Sequence, residues 1–119
     1  MKNSILILFI ALTSVLSACS TTKKATSANN METVNIQTSA QCGMCQKTIE
    51  EGVGLEKGVK KASLNMENKV LSVKYNAAKT DPTKIRQAVS KLGYDADDVA
   101  ADTSVYENLP RCCQKDGGH

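Results

Sequence analysis

Glu32-Thr33-Val34-Asn35-Ile36-Gln37-Thr38 runs through Ser39-Ala40-Gln41 into Cys42-Gly43-Met44-Cys45, and the reading of this stretch decides the fold. Val34 and Ile36 alternate with polar residues, which puts both on one face of a strand. Beyond the cysteines, Cys45, Ile49 and Val53 recur at helical spacing. The two thiols therefore stand where a strand passes through a short loop into a helix N-terminus. The first amides of a helix have no intrahelical partner and the helix dipole is positive there, so thiol pKa falls and thiolate becomes available near neutral pH. The C-x-x-C spacing by itself does not separate a soft-metal grip from a thiol redox centre or a structural zinc site.

Downstream, the periodicity changes in a definite order. Val59 to Met66 alternates through Ala62, Leu64 and Met66, Glu67-Asn68 makes a short turn, and Lys69 to Tyr75 alternates through Leu71, Val73 and Tyr75. That pattern predicts a hairpin. Asp81 is placed to cap a second helix with Pro82 in its first position, and Ile85, Val89 and Leu92 supply its apolar face. Gly93 ends that helix, and Tyr94 to Val99 is expected to form a last short strand. The order βαββαβ predicts an α+β, ferredoxin-like sandwich, with two helices on one face of a four-stranded antiparallel sheet. Val34, Ile36, Leu64, Val73, Ile85 and Val89 are its expected core.

Residues 32–100 resemble the heavy-metal-associated domain of copper chaperones, metal-pumping ATPases and periplasmic mercury scavengers. The resemblance rests on Cys42-Gly43-Met44-Cys45, on the element order, and on Lys91-Leu92-Gly93-Tyr94-Asp95-Ala96, which is similar to the family's G-Y-x-A segment. It implies that Cys42 and Cys45 bind the metal, that Tyr94 lies beside the metal loop, and that Met44 faces solvent or a docking partner. Tyr94 reads equally as an aromatic at the edge of the core. One departure stands out: the family usually carries Met two residues before the first cysteine, and here that residue is Ala40, so a less tightly supported loop is expected.

Two thiolates without a nearby carboxylate or imidazole favour Cu(I) first and Hg(II) second, because both are soft and accept low coordination. Zn(II) remains possible but prefers four ligands. Neutral Gln41 stands where zinc and cadmium members often carry an acidic residue. The expected function is capture of the ion and its transfer, by thiolate exchange, to a metal-transporting ATPase or another thiolate-bearing acceptor. The alternative is an envelope thiol–disulfide redox protein or oxidant sensor. Thioredoxin-type centres need an aromatic residue and a cis-proline beside the thiols. This chain has no Trp, and Pro82 and Pro110 stand at a helix start and in the tail. No Ser/His/Asp constellation or phosphate-cradling glycine loop appears, so no enzymatic activity is expected.

The two ends carry further signals. Lys2 precedes an apolar run from Ile5 to Leu16, and Leu16-Ser17-Ala18-Cys19 resembles the lipobox of bacterial lipoproteins. The run is too short for a permanent span, so residues 1–18 read as an export signal and Cys19 as the lipid-bearing first residue. Residues 19–31 read as a flexible tether, since Ser20 to Asn30 has no apolar side chain larger than Ala. Such a tether would hold the domain roughly 20 Å from the lipid surface. The expected place is the bacterial envelope outside the cytoplasm, where thiols tend to oxidise.

In the tail, residues 101–119, Tyr106 and Leu109 are candidates to dock on the domain, and Pro110 stops any helix before Cys112-Cys113. Adjacent cysteines seldom bond each other without strain. Three readings stay open: the tail folds back and raises the ion's coordination to three or four, it forms a separate thiol site, or it makes a disulfide with Cys42 or Cys45. His119 reads as solvated. The formal net charge of +3 falls to +2 once Lys2 leaves with the signal. Charges are interspersed and the single Phe lies in the signal, which leaves no basic stripe or stacking platform for nucleic acid.

Overall fold

The computed structural model describes residues 30–115. The expected signal peptide, Cys19, the tether up to residue 29 and His119 lie outside the described residues. Within them the order is β1 (Met31–Gln37), α1 (Gly43–Gly54), β2 (Val59–Asn65), β3 (Val70–Asn76), α2 (Pro82–Lys91), α3 (Thr103–Tyr106) and a single 3-10 turn at Arg111–Cys113.

β3 is the central strand, antiparallel to β1 on one side and β2 on the other. The register sets Ile36 and Leu64 on either side of Leu71, and Val34 and Ala62 on either side of Val73. Because side chains alternate between faces, one face of the sheet is apolar and the other carries Thr33, Lys61, Ser63, Ser72 and Lys74. The helices cover the apolar face with Ile49 and Val53 from α1 and Ile85, Ala88 and Val89 from α2. Each fully buried aliphatic side chain contributes about 1.5–3 kcal/mol, so the aliphatic residues dominate a core in which Cys45 and Cys113 are also packed. All six expected core residues lie in it, Val34 only partly buried. α1 also closes the free edge of β2: the Leu64 N–H donates to Glu50 Oε1 at 2.7 Å and Gln46 Nε2 donates to the Leu64 carbonyl at 2.9 Å.

α2 begins and ends as its sequence requires. The Lys84 N–H donates to Asp81 Oδ1 at 2.9 Å, with Pro82 in the first turn. At the other end, Gly93 adopts φ 93°. Its N–H donates to the Ser90 carbonyl while the Tyr94 N–H donates to that of Val89, the paired bonds of a Schellman close. That turn sends Tyr94 into the core, where it is 1% exposed.

The sheet has three strands, not the four expected. Residues 94–99 make only isolated bridges, Thr38 with Ala96 and Ala96 with Val99. Two causes are visible. Asp97 takes φ 53°, which no continuous strand allows, and Ala96 and Val99 bond each other across the resulting turn. A side chain then does what a strand carbonyl would: Asp97 Oδ1 accepts from the Gln37 N–H at 2.8 Å, while the Asp97 N–H donates to the Gln37 carbonyl at 2.8 Å. Burial opposes ionisation of Asp97, but hydrogen bonds from Arg86 and the Gln37 N–H outweigh it and hold its pKa below the usual carboxylate range. The hairpin turn is also longer than Glu67-Asn68. It runs from residue 66 to 69, with Lys69 at φ 60° and the Asn65 and Asn68 side chains accepting from Glu67 N and Val70 N.

After residue 99 the tail returns along the same end of the domain. The Asp102 N–H donates to the Ser90 carbonyl, and Ser90 Oγ donates to that of Ala100. Val105 and Leu109 come so close to Gly93 that a Cβ there would lie 3.1–3.2 Å from their side chains. Leu109 thus docks as the sequence suggested, and Tyr106 Oη accepts from the Lys115 N–H at 2.8 Å.

Candidate metal centre

Thr38 ends the β1 side of the loop by donating its hydroxyl and its N–H to the Lys69 carbonyl, both at 2.9 Å. Ser39 Oγ accepts from the Asp95 N–H at 2.9 Å, which ties the loop to the segment after α2. Ala40 is fully buried in the same core cluster as Cys45, Tyr94 and Cys113. Cys42 then serves as the N-cap of α1, with φ −150° and ψ 171°. No side-chain oxygen caps this helix, and its first turn carries no acidic residue. Cys45 follows one turn in and is fully buried, whereas Met44 is 55% exposed.

Four sulfurs meet at this helix end. Cys42 Sγ lies 3.2 Å from Cys45 Sγ, 3.5 Å from Cys112 Sγ and 3.7 Å from Cys113 Sγ, and the last two are 3.9 Å apart. All four cysteines are free thiols. Cys42, Cys112 and Cys113 form a compact group able to hold an ion, and among the described residues it contains no carboxylate or imidazole. Such a donor set suits a soft ion.

The sulfurs differ in their readiness to ionise. Burial opposes ionisation of Cys42, but hydrogen bonds with the Cys45 thiol and backbone N–H, then with the Cys112 and Cys113 thiols, bring its pKa down to about 7. Burial, followed by the Cys45 sulfur, pushes Cys113 well up. Cys112 is raised, first by its hydrogen bond with Cys42 and then by burial. The cluster thus loses its first proton from Cys42, whose negative charge the three neighbouring sulfurs stabilise.

Tyr94 stands beside this cluster. Its hydroxyl is buried without a hydrogen-bond partner. Burial, with the Cys113 and Cys45 sulfurs alongside, pushes its pKa well above the ordinary tyrosine range, so it stays a donor. An unpaired buried donor costs about 1–3 kcal/mol, a penalty that falls when a neighbouring thiol becomes a thiolate.

The structure therefore brings Cys42, Cys45, Cys112, Cys113 and Tyr94 together and leaves Met44 at the exposed rim. Sequence reading missed the residues that hold the pieces in place. Thr38 and Ser39 anchor the loop, and Asp95 anchors the tail by accepting from the Ala101 N–H and pairing with Lys115 Nζ. Hydrogen bonding from Lys115 is the main cause that keeps the Asp95 pKa low. Nothing in local periodicity signals such contacts between distant segments.

Residues 39–95 match the heavy-metal-associated domain family. Over 56 residues the chain is 39% identical to the copper chaperone CopZ of Enterococcus hirae, across 47% of this chain and 81% of that protein. Over 79 residues it is 30% identical to a probable copper-exporting P-type ATPase of Archaeoglobus fulgidus, across 66% of this chain and 10% of the ATPase. Oxidized MerP from Ralstonia metallidurans superposes with a TM-score of 0.54 at 25% identity, covering 56% of this chain and 93% of that one. The family match ends before the tail, so it does not include Cys112 and Cys113.

The order of ionisation has a measurable consequence in the reduced, metal-free protein. With its pKa at about 7, Cys42 should be alkylated fastest of the four thiols at neutral pH. Its rate should fall about tenfold per pH unit below that point and level off above it, because only the thiolate reacts. Iodoacetamide labelling across pH 5–9, resolved by peptide mapping, checks this, with Cys113 expected to react last. A Cys42 midpoint near the ordinary thiol value of about 8.5 would contradict it.

Proposed function

The chain belongs to the heavy-metal-associated domain family, and on that ground we propose that it captures Cu(I) with Cys42 and Cys45 and passes the ion to a thiolate-bearing acceptor. The observation that carries this reading is the pair of sulfurs 3.2 Å apart at the start of α1, one of them with its pKa at about 7. A thiolate there enjoys the positive end of the helix, and two soft donors suit Cu(I), with Hg(II) second by the same logic.

Transfer follows from the unequal burial of the two ligands. Cys42 is half-buried beside the exposed Met44, whereas Cys45 is fully buried. An acceptor thiolate approaches at the Cys42 edge, joins the ion, and replaces Cys42 before Cys45. The ion passes between sulfurs without being released to water, and no electron moves. The soluble domain of a metal-transporting ATPase fits the acceptor role, a reading supported by the likeness to a copper-exporting ATPase. The thiol–disulfide alternative is not favoured, because the relatives are copper chaperones and a copper-exporting ATPase.

The proposal includes a lipid anchor at Cys19 and a place in the bacterial envelope outside the cytoplasm, supported by Leu16-Ser17-Ala18-Cys19.

Cys42→Ser should leave the fold intact and weaken Cu(I) binding on the order of a hundredfold or more, read by competition with a chelator. Cys45→Ser should lose affinity similarly and also cost about 1–3 kcal/mol of stability, since it buries a hydroxyl. A double variant that stays folded by circular dichroism and binds Cu(I) undiminished would contradict the reading. For the anchor, mass spectrometry of the mature protein should find an acylated N-terminus at Cys19, absent from Cys19→Ala. Retention of Met1 in the wild type would remove that part of the proposal.

A further inference from the structure

We infer that Cys112 and Cys113 are ligands of the same ion, so that the site holds its cargo with at least three sulfurs instead of two. The inference rests on the reading that Cys42 and Cys45 bind the metal, and it concerns a segment beyond the family match at residues 39–95.

Geometry is the first support. Cys42, Cys112 and Cys113 make a triangle with sides of 3.5, 3.7 and 3.9 Å. An ion equidistant from the three would lie about 2.1 Å from each, and metal–thiolate bonds of about 2.3 Å need sides of roughly 3.8–4.0 Å, so the sulfurs need spread by only a few tenths of an ångström. Among the described residues, the sulfur pairs within 4 Å other than the adjacent tail cysteines all include Cys42. A separate tail site would have to exclude the sulfur that the loop pair also uses.

The second support is that the tail is brought back by contacts that involve no sulfur. Val105 and Leu109 pack on Gly93 and Lys115 Nζ pairs with Asp95, while within the tail the Lys115 N–H donates to Tyr106 Oη and Gln114 Nε2 to the Leu109 carbonyl at 3.0 Å. These hold Cys113 at 1% exposure inside the core cluster. Tyr94 is the third support. Its hydroxyl, buried and without an acceptor, lies beside Cys113 and Cys45, and thiolates at either position would give it one.

Each thiol that binds releases one proton to solvent, and copper stays Cu(I) throughout. Because the tail ligands belong to the same chain, they act at high effective concentration. Capture is tighter than by the loop pair alone, and an acceptor must displace Cys112, the more exposed tail thiol, before it takes the ion. The tail thereby sets the balance between holding and handing over.

The test uses the full-length protein loaded anaerobically with one equivalent of Cu(I). X-ray absorption should report three or more sulfur neighbours per copper, and peptide mapping after alkylation should find Cys112 and Cys113 protected. Cys112→Ser/Cys113→Ser should drop the count to two, weaken binding on the order of tenfold or more, and speed loss of copper to a chelator. Two sulfurs in the wild type, with both tail cysteines alkylated, would overturn the inference while leaving the Cys42–Cys45 reading standing. Retention of tight Cu(I) binding by Cys42→Ser/Cys45→Ser would instead overturn that earlier reading. The wild-type measurements require no variant, so a Cys113 substitution that loosens the tail does not affect them.

Discussion

The free amides at the start of α1 are the constraint on which this site depends. Helices usually satisfy them with Ser, Thr, Asp or Asn at the N-cap. Here the N-cap is Cys42, no side-chain oxygen caps the first turn, and no acidic residue lies in it. An oxygen at that position would bond the amides and offer a hard donor. A sulfur answers the same positive potential by ionising, and remains a soft ligand while doing so. The burial of Cys113 then limits how much negative charge the apo cluster carries, because a second thiolate is costly there.

The rest of the domain serves to hold loops against that helix end. β1 delivers the loop and Thr38 fixes where it leaves the sheet. Gly93 reverses the chain after α2 so that Tyr94 drops under the loop and the tail has a surface to return along. Two carboxylates flanking Ala96 do the fastening, Asp97 toward Gln37 and Arg86, and Asp95 toward Ala101 and Lys115. Ala40, where the family usually has a methionine, is buried in the same cluster as Tyr94 and the tail's Cys113. The support expected to be missing beneath the loop is therefore supplied by parts of this chain's own core and tail.

Much of this was legible in the sequence because it is local. Alternation gave β1 and β3, Asp81-Pro82 and Gly93 bounded α2, and helical spacing put Cys45, Ile49 and Val53 inside. The expected fourth strand does not form, and the sequence carries the reason: Val99 stands three residues after Ala96, not two, and the tight turn between them takes up the odd residue. The sequence leaves the tail open between three arrangements because its placement depends on contacts such as Cys42 with Cys113, 71 residues apart, and on an ion pair between Asp95 and Lys115. Neither leaves a periodic trace. Chemistry at the C-x-x-C pair could be narrowed by composition, but the gathering of all four thiols required the fold.

The most direct test of the account is the metal content and thiol state of the full-length protein isolated anaerobically from copper-supplemented cells. The account predicts one copper per chain, present as Cu(I), with Cys42 and Cys45 unreactive toward thiol reagents until the metal is removed. Protein that is copper-free with Cys42 and Cys45 reduced and freely reactive would contradict it.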